Sequence, residues 1–88
     1  MKNLVILSSG AGSNLNNIIK HVNNKFLFNC HINSIISNSD SNSLRIGINN
    51  KIPTQYLPWH KENQSREEYD SLLAKIILPF APDIIVLS

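Results

Sequence analysis

Apolar residues fall in short bursts along the chain, and the spacing inside each burst differs. Leu4-Val5-Ile6-Leu7 is a continuous run, partly β-branched, and predicts a buried parallel strand over 3–8. Leu15, Ile18, Ile19 and Val22 are at helical spacing. They predict a helix over 14–23, with Ser13 or Asn14 near its N-cap and Asn23-Asn24 as its stop. Phe26 to Ile36 reads as a second strand region with Ile32, Ile35 and Ile36 as its apolar core. Ser37-Asn38-Ser39-Asp40-Ser41-Asn42 is a turn cluster that also offers N-caps. A weaker helix is expected over 43–50, where Gly47 costs about 1 kcal/mol relative to alanine. After Pro53 comes a short third strand, 54–57, and then a polar loop, 58–64, carrying Trp59 and His60.

The third helix has the clearest signals. Ser65-Arg66-Glu67-Glu68 forms a capping box with Ser65 as N-cap and Glu68 at the third helical position. Tyr69, Leu72, Leu73, Ile76 and Ile77 follow at i, i+3, i+4, i+7 and i+8, and Pro79 stops the helix. Pro82-Asp83 leads into a fourth strand, Ile84-Ile85-Val86-Leu87. The order βαβαβαβ predicts an α/β fold: a Rossmann-like parallel sheet with right-handed crossovers. In such sheets ligands bind beyond the carboxyl ends of the strands. The fourth strand reaches that edge at Ser88, so 1–88 is expected to be part of a domain. Its outer edge is expected to be apolar, which favours aggregation or a partner.

Composition narrows the classes. The 88 residues suit one small domain, with no internal boundary visible. Such a chain buries about 60–65% of its unfolded surface, so marginal stability is expected. The net charge of +2 and pI near 8.9 come without any run of Lys or Arg. No nucleic-acid or membrane partner is expected. Cys30 is the single cysteine, which excludes an internal disulfide and fits a reducing compartment. The first apolar run is too short to span a membrane and lacks a cleavage site. A cytoplasmic protein is expected.

The candidate chemistry starts at Ser8-Ser9-Gly10-Ala11-Gly12-Ser13-Asn14-Leu15, between the first strand and the first helix. Backbone N–H groups and a helix N-terminus hold phosphates in this setting. Gly10 and Gly12 allow positive φ and a close ligand approach. Replacing Gly12 with Val is expected to abolish phosphate binding. The loop lacks the Gly-Lys-Ser/Thr of a Walker A motif. The third glycine of a dinucleotide fingerprint would fall at Leu15, and the nearest acid, Asp40, is too distant. A mononucleotide or sugar phosphate fits better than a dinucleotide. The alternative is a plain strand-to-helix turn.

Arg66 opens the third helix, where a cation opposes the macrodipole by about 0.3–1 kcal/mol. It either holds an anion or is a solvated arginine paired with Glu67 or Asp70. His21, His31 and His60 have neither metal-ligand spacing nor a nucleophile partner, so no metal site is expected. Cys30 reads as a small buried apolar group. Trp59 reads as a lid over the core and Asp83 as a turn residue. No general acid or base is apparent.

Four segments in register resemble the N-terminal part of the phosphoribosylglycinamide (glycinamide ribonucleotide) formyltransferase family. They are Ser9-Gly10-Ala11-Gly12-Ser13-Asn14-Leu15, then Ser37-Asn38, then Ser65-Arg66-Glu67 with Tyr69-Asp70, and lastly Ala81-Pro82-Asp83 with the following Ile-Ile-Val-Leu. The resemblance runs from Leu4 to Leu87. It implies transfer of a formyl group from 10-formyltetrahydrofolate to the amine of glycinamide ribonucleotide, in purine synthesis. It also implies that Gly12, Ser13 and Asn14 hold the ribonucleotide phosphate and that Arg66 contacts the folate. The family's catalytic Asn, His and Asp have no counterpart within these 88 residues. The expectation is therefore a truncated remnant, or one half of a split enzyme completed by a second chain, without activity alone. Lys51 stands where a glycine is usual, and Asn49 or Asn50 is expected to end the helix earlier and relieve the strain. Ser88 stands where alanine is usual. A non-catalytic sugar-phosphate or nucleotide module is the alternative class. A relative acting on initiator methionyl-tRNA is a further one, disfavoured by the mild charge.

Overall fold

The computed structural model describes residues 2–9, 12–23 and 29–88. Four strands and three helices alternate: β1 (Lys2–Ser8), α1 (Ser13–Asn23), β2 (Cys30–Ser37), α2 (Asn42–Asn49), β3 (Thr54–Tyr56), α3 (Arg66–Ile77) and β4 (Ile84–Leu87). The sheet is wholly parallel, in the order β3-β2-β1-β4. This is the expected Rossmann-like α/β arrangement. The expected Gly10-Ala11 bend and the Phe26–Phe28 start of the second strand lie outside the described residues.

Alternation along β1 sorts the core into two faces. Leu4 and Ile6 pack with Leu15, Ile19, Ile32 and Ile35 on the α1 side. Val5 packs with Ile36, Leu57, Tyr69 and Ile77 on the α3 side. A continuous apolar strand is what burial on both faces requires. α1 and α3 therefore lie on opposite faces of one sheet.

Local chemistry sets the element ends. Ser65 caps α3 as a full capping box: its hydroxyl accepts from Glu68 N (3.1 Å), and its own N–H donates to Glu68 Oε1 (3.2 Å). The α-helix ends at Ile77, and a 3₁₀ turn, Leu78–Phe80, carries Pro79. α1 begins one residue earlier than expected. Ser13 is its first helical residue, and the Gly12 carbonyl accepts the first helical bond from Asn16 N (2.9 Å). The cap position is thus Gly12, not Ser13 or Asn14. Ser41 stands at the N-cap of α2, but its hydroxyl makes no capping bond.

The end of α2 departs from expectation. Asn50 keeps φ at −93°, and Lys51 takes the left-handed position at +59°. Lys51 N donates to Ile48 O (3.0 Å) and Ile52 N to Gly47 O (2.9 Å). These two bonds form a Schellman motif, which places the left-handed residue at Lys51. Asn50 Nδ2 reaches Ile46 O (2.7 Å) and supports this end rather than an earlier one. The strain expected to be relieved is retained.

Gly47 has a packing reason. It is buried, and a Cβ there would collide with the Thr54 Cγ2 methyl and lie 3.1 Å from Ile35 Cδ1. Close seating of α2 on β2 and β3 requires the glycine. Cys30 is half-buried rather than buried, and packs beside the α1-side cluster.

Candidate functional site at the carboxyl edge of the sheet

In a parallel sheet, the helix N-termini gather at the carboxyl ends of the strands. β1 ends there at Ser8, β2 at Ser37 and β4 at Leu87, followed by Ser88. Serine hydroxyls tie these ends together. Ser8 and Ser43 are buried, with their Oγ atoms 2.6 Å apart. Ser88 Oγ lies 3.4 Å from Ser8 Oγ. Ser37 Oγ donates to Ser39 O (2.8 Å) and accepts from Ser39 N (3.2 Å). A long 3.4 Å contact joins Ser39 Oγ to Ser9 O. Ser41 Oγ is buried and has no hydrogen-bond partner among the described residues. The turn chemistry of 37–42 was legible in the sequence. The Ser8–Ser43 pair was not, because the two residues are 35 apart and meet only once the sheet forms.

Gly12 lies within this frame, buried, with φ at +87°. A Cβ at Gly12 would fall 2.5 Å from Ile46 Cδ1, 3.5 Å from Ser43 N and 3.6 Å from Ser43 Oγ. The start of α1 is thus pressed against the start of α2. Because the first helical bond comes from Asn16 N, the N–H groups of Ser13, Asn14 and Leu15 have no carbonyl partner inside the helix. Neither α1 nor α2 has an acid in its first turn, whereas α3 has Glu67 and Glu68. An anion beside α1 would meet the positive end of a helix dipole with no carboxylate in that helix's first turn, the Asp40 carboxylate preceding the α2 N-cap at the same edge. Asn14 is exposed.

Arg66 is at the same edge but on the opposite face. Its Nε is 3.1 Å from Asp70 Oδ1, and both side chains are more than half exposed. Its guanidinium lies 5.1 Å from the Trp59 ring centre and 5.7 Å from that of Tyr69. The Asp70 pairing was one of the two alternatives for this residue, and the stacking was not foreseen. Exposed ion pairs and cation–π contacts contribute about 1 kcal/mol or less each. Trp59 is half-buried against the α3-side core, as a lid would be, and Nε1 donates to Gln64 O (3.2 Å). Tyr69 is buried. Its hydroxyl donates to Leu57 O (2.9 Å), and burial first of all raises its pKa.

Among the remaining candidates, His60 is in the β3–α3 loop at this same carboxyl edge, next to Trp59, whereas His21 and His31 lie toward the amino edge. His21, His31 and His60 are exposed. Among the described residues, no three His, Cys, Asp or Glu side chains come together as a metal site requires. Asp83 is a turn residue at the amino edge, where its carboxylate accepts from Asn3 N (2.7 Å). A hollow of about 340 Å³ opens at that edge between Ile19, His31, Lys51 and Phe80. It lies at the C-terminal, negative ends of α1 and α2, which disfavours an anion. No helix among the described residues is long and apolar enough to cross a membrane.

A formyl transferase family model matches residues 2–88. The chain belongs to the formyl transferase family. Among solved structures, it is similar to phosphoribosylglycinamide formyltransferase from Coxiella burnetii, at 35% identity and TM-score 0.87, over 99% of this chain and 40% of that one. It also resembles the Brucella melitensis phosphoribosylglycinamide formyltransferase, at 26% identity and TM-score 0.86, over 98% of this chain and 44% of that one. A formyltetrahydrofolate deformylase from Pseudomonas putida shares the fold at 15% identity and TM-score 0.80, over 98% of this chain and 29% of that one. No curated protein matches the chain. The chain spans about 40% of the length of the formyltransferase structures it matches.

Proposed function

We propose that residues 1–88 are the N-terminal, substrate-holding part of a formyltransferase domain. That domain would move a formyl group from 10-formyltetrahydrofolate to the amine of glycinamide ribonucleotide, in purine synthesis. The observation that carries this reading is the start of α1. Gly12 at φ +87° turns the chain so that the Ser13 and Asn14 amides lead the helix at the carboxyl edge of the sheet. The family membership and the 35% identity to a phosphoribosylglycinamide formyltransferase support the choice of substrate.

In this reading Gly12, Ser13 and Asn14 hold the ribonucleotide phosphate through main-chain amides. Arg66 contacts the folate. The two groups lie on opposite faces of the sheet at one edge, which suits two ligands meeting across that edge better than one small ligand held by both. Amine attack on a formyl carbon builds an oxyanion that needs preorganised donors, and the amine must lose a proton to a group of suitable pKa. The serine hydroxyls gathered at the edge are poor bases at neutral pH. Binding and positioning are the contributions these residues make. The proton-transfer groups are supplied by polypeptide outside these 88 residues, on a second chain or on a longer form of this one.

Calorimetric titration with glycinamide ribonucleotide tests the reading. The expected result is binding that the dephosphorylated riboside does not show and that Asn14→Asp weakens at least ten-fold, through charge repulsion at an exposed position. Equal binding of the riboside would refute it.

A further inference from the structure

The amino edge of the sheet carries a hollow that formyl transfer leaves unused. At about 340 Å³ it is of a size that small-molecule sites have. Its floor is apolar, with Ile19 and Ile32 buried and Ile52 and Phe80 half-buried. Its rim carries the carboxamides of Asn23, Asn33 and Asn50. Asn33 is held there by the backbone. β1 pairs Leu4 with Ile32 and Val5 with Ser34, so Asn33 is the extra residue of a β-bulge. As a result Ile32 and Ile35, three apart, both reach the α1-side core. Bulges re-aim side chains and gather beside functional sites. Asn33 Nδ2 then donates to Phe80 O (3.2 Å), and Asn50 Nδ2 donates to Ile46 O (2.7 Å). A carbonyl only accepts, so both carboxamides commit their nitrogen inside the protein and keep Oδ1 for an outside donor. The last carbonyls of α1, which ends at Asn23, add further acceptors at the same place.

Charge selects against ions. Of the described residues that line the hollow none is acidic, and His31 and Lys51 stand on its rim. A cation therefore has no counter-charge there. An anion meets the negative ends of two helix dipoles, which Lys20 in the last turn of α1 and Lys51 after α2 do no more than offset. The ligand that fits is neutral, with an apolar face for the floor and N–H donors along its edge. We propose that this hollow binds an amino-bearing heterocyclic base of the adenine kind. Its ring lies against Phe80 and the isoleucines, where an aromatic face packs well. Its N–H groups donate to Asn33 Oδ1 and Asn50 Oδ1. The phosphate loop is at the opposite edge of the sheet, and neither site depends on the other.

Nitrogen-15 titration of the chain with adenine is the test. The expected result is saturable shifts at the amides of Asn33, Asn50 and Ile52, with those of Ser13 and Asn14 unmoved. The adenine analogue with a methyl group in place of the amino group keeps the ring and loses the donor. It is expected to bind about ten-fold more weakly, as a buried acceptor left without its partner implies. Asn50→Ala, at an exposed position, is expected to weaken adenine binding about ten-fold while the amide spectrum stays that of the folded chain. Equal binding of adenine and its methyl analogue would overturn the proposal, and this comparison needs no variant. So would an Asn50→Ala chain that binds adenine as the native chain does, or no saturation up to the solubility limit of adenine. Inorganic phosphate shifting the same amides at lower concentration than adenine would overturn it too, by making the hollow an anion site.

Discussion

Gly12 serves the fold before it serves any ligand, and the two roles can be measured apart. Gly12→Ala puts a Cβ on a residue at φ +87°, where side chains other than glycine cost about 1–2 kcal/mol. The same Cβ falls 2.5 Å from Ile46 Cδ1, and overpacking of that kind costs about 1–3 kcal/mol. The expected loss is about 2–5 kcal/mol. A chain of this size has a total stability of about 4–13 kcal/mol. Valine, with its branched side chain, should lose more. Loss of phosphate binding in Gly12→Val would therefore mix a blocked ligand approach with a damaged fold. Ile46→Val separates the two costs, because it deletes the Cδ1 methyl that the new Cβ meets. Alone, it should cost about 0.5–1.5 kcal/mol. In the double variant the packing part should largely disappear. The pair should then be about 1–2 kcal/mol more stable than the sum of the single losses predicts. Urea unfolding followed by Trp59 fluorescence reads this from the α3 side of the sheet, away from the substitutions. Strictly additive losses would refute the packing of α1 against α2 at this point.

Ser65→Ala should cost about 1 kcal/mol in urea unfolding, since it removes the hydroxyl that caps Glu68 N. An unchanged midpoint would count against the capping box. Tyr69→Phe should cost about 1–2 kcal/mol, because it leaves the buried Leu57 carbonyl without its donor. Burial raises the Tyr69 pKa above the ordinary value of 10.0, so the folded state keeps its proton where the unfolded chain releases it. That contribution is fully present below pH 10 and is lost as the pH rises through the folded pKa. Stability measured from pH 9 to 11 should fall less steeply in the Phe variant, and parallel slopes would contradict the assignment. Lys51→Gly should raise stability by about 0.5–1 kcal/mol by relieving the left-handed cap, and a loss on thermal unfolding would argue against that conformation.

Features set by neighbours in sequence were legible. The Leu4–Leu7 run, the spacing from Tyr69 to Ile77 and the Ser65–Glu68 box each follow from chemistry within a few residues, and the βαβαβαβ order follows from them. Features set by distant neighbours were not. Gly47 looked like a helix defect until β3 brought Thr54 against it. Asn50 looked like an earlier stop, but the bonds from Lys51 and Ile52 keep the left-handed residue at 51. Arg66 was left open between an anion and an acidic partner. The fold adds Trp59 and Tyr69 beneath it, from a loop and a helical turn that packing brings together. At the candidate site, the glycine and the helix start were readable. The serine frame linking Ser8, Ser43 and Ser88 joins residues up to 80 apart, and no local pattern announces it.

The most direct measurement is a nitrogen-15 chemical-shift titration of the chain with glycinamide ribonucleotide. The largest saturable shifts are expected at the amides of Gly12, Ser13 and Asn14, with the amino-edge residues His31 and Lys51 unmoved. Shifts centred on His31 and Lys51, with the start of α1 unchanged, would contradict that placement.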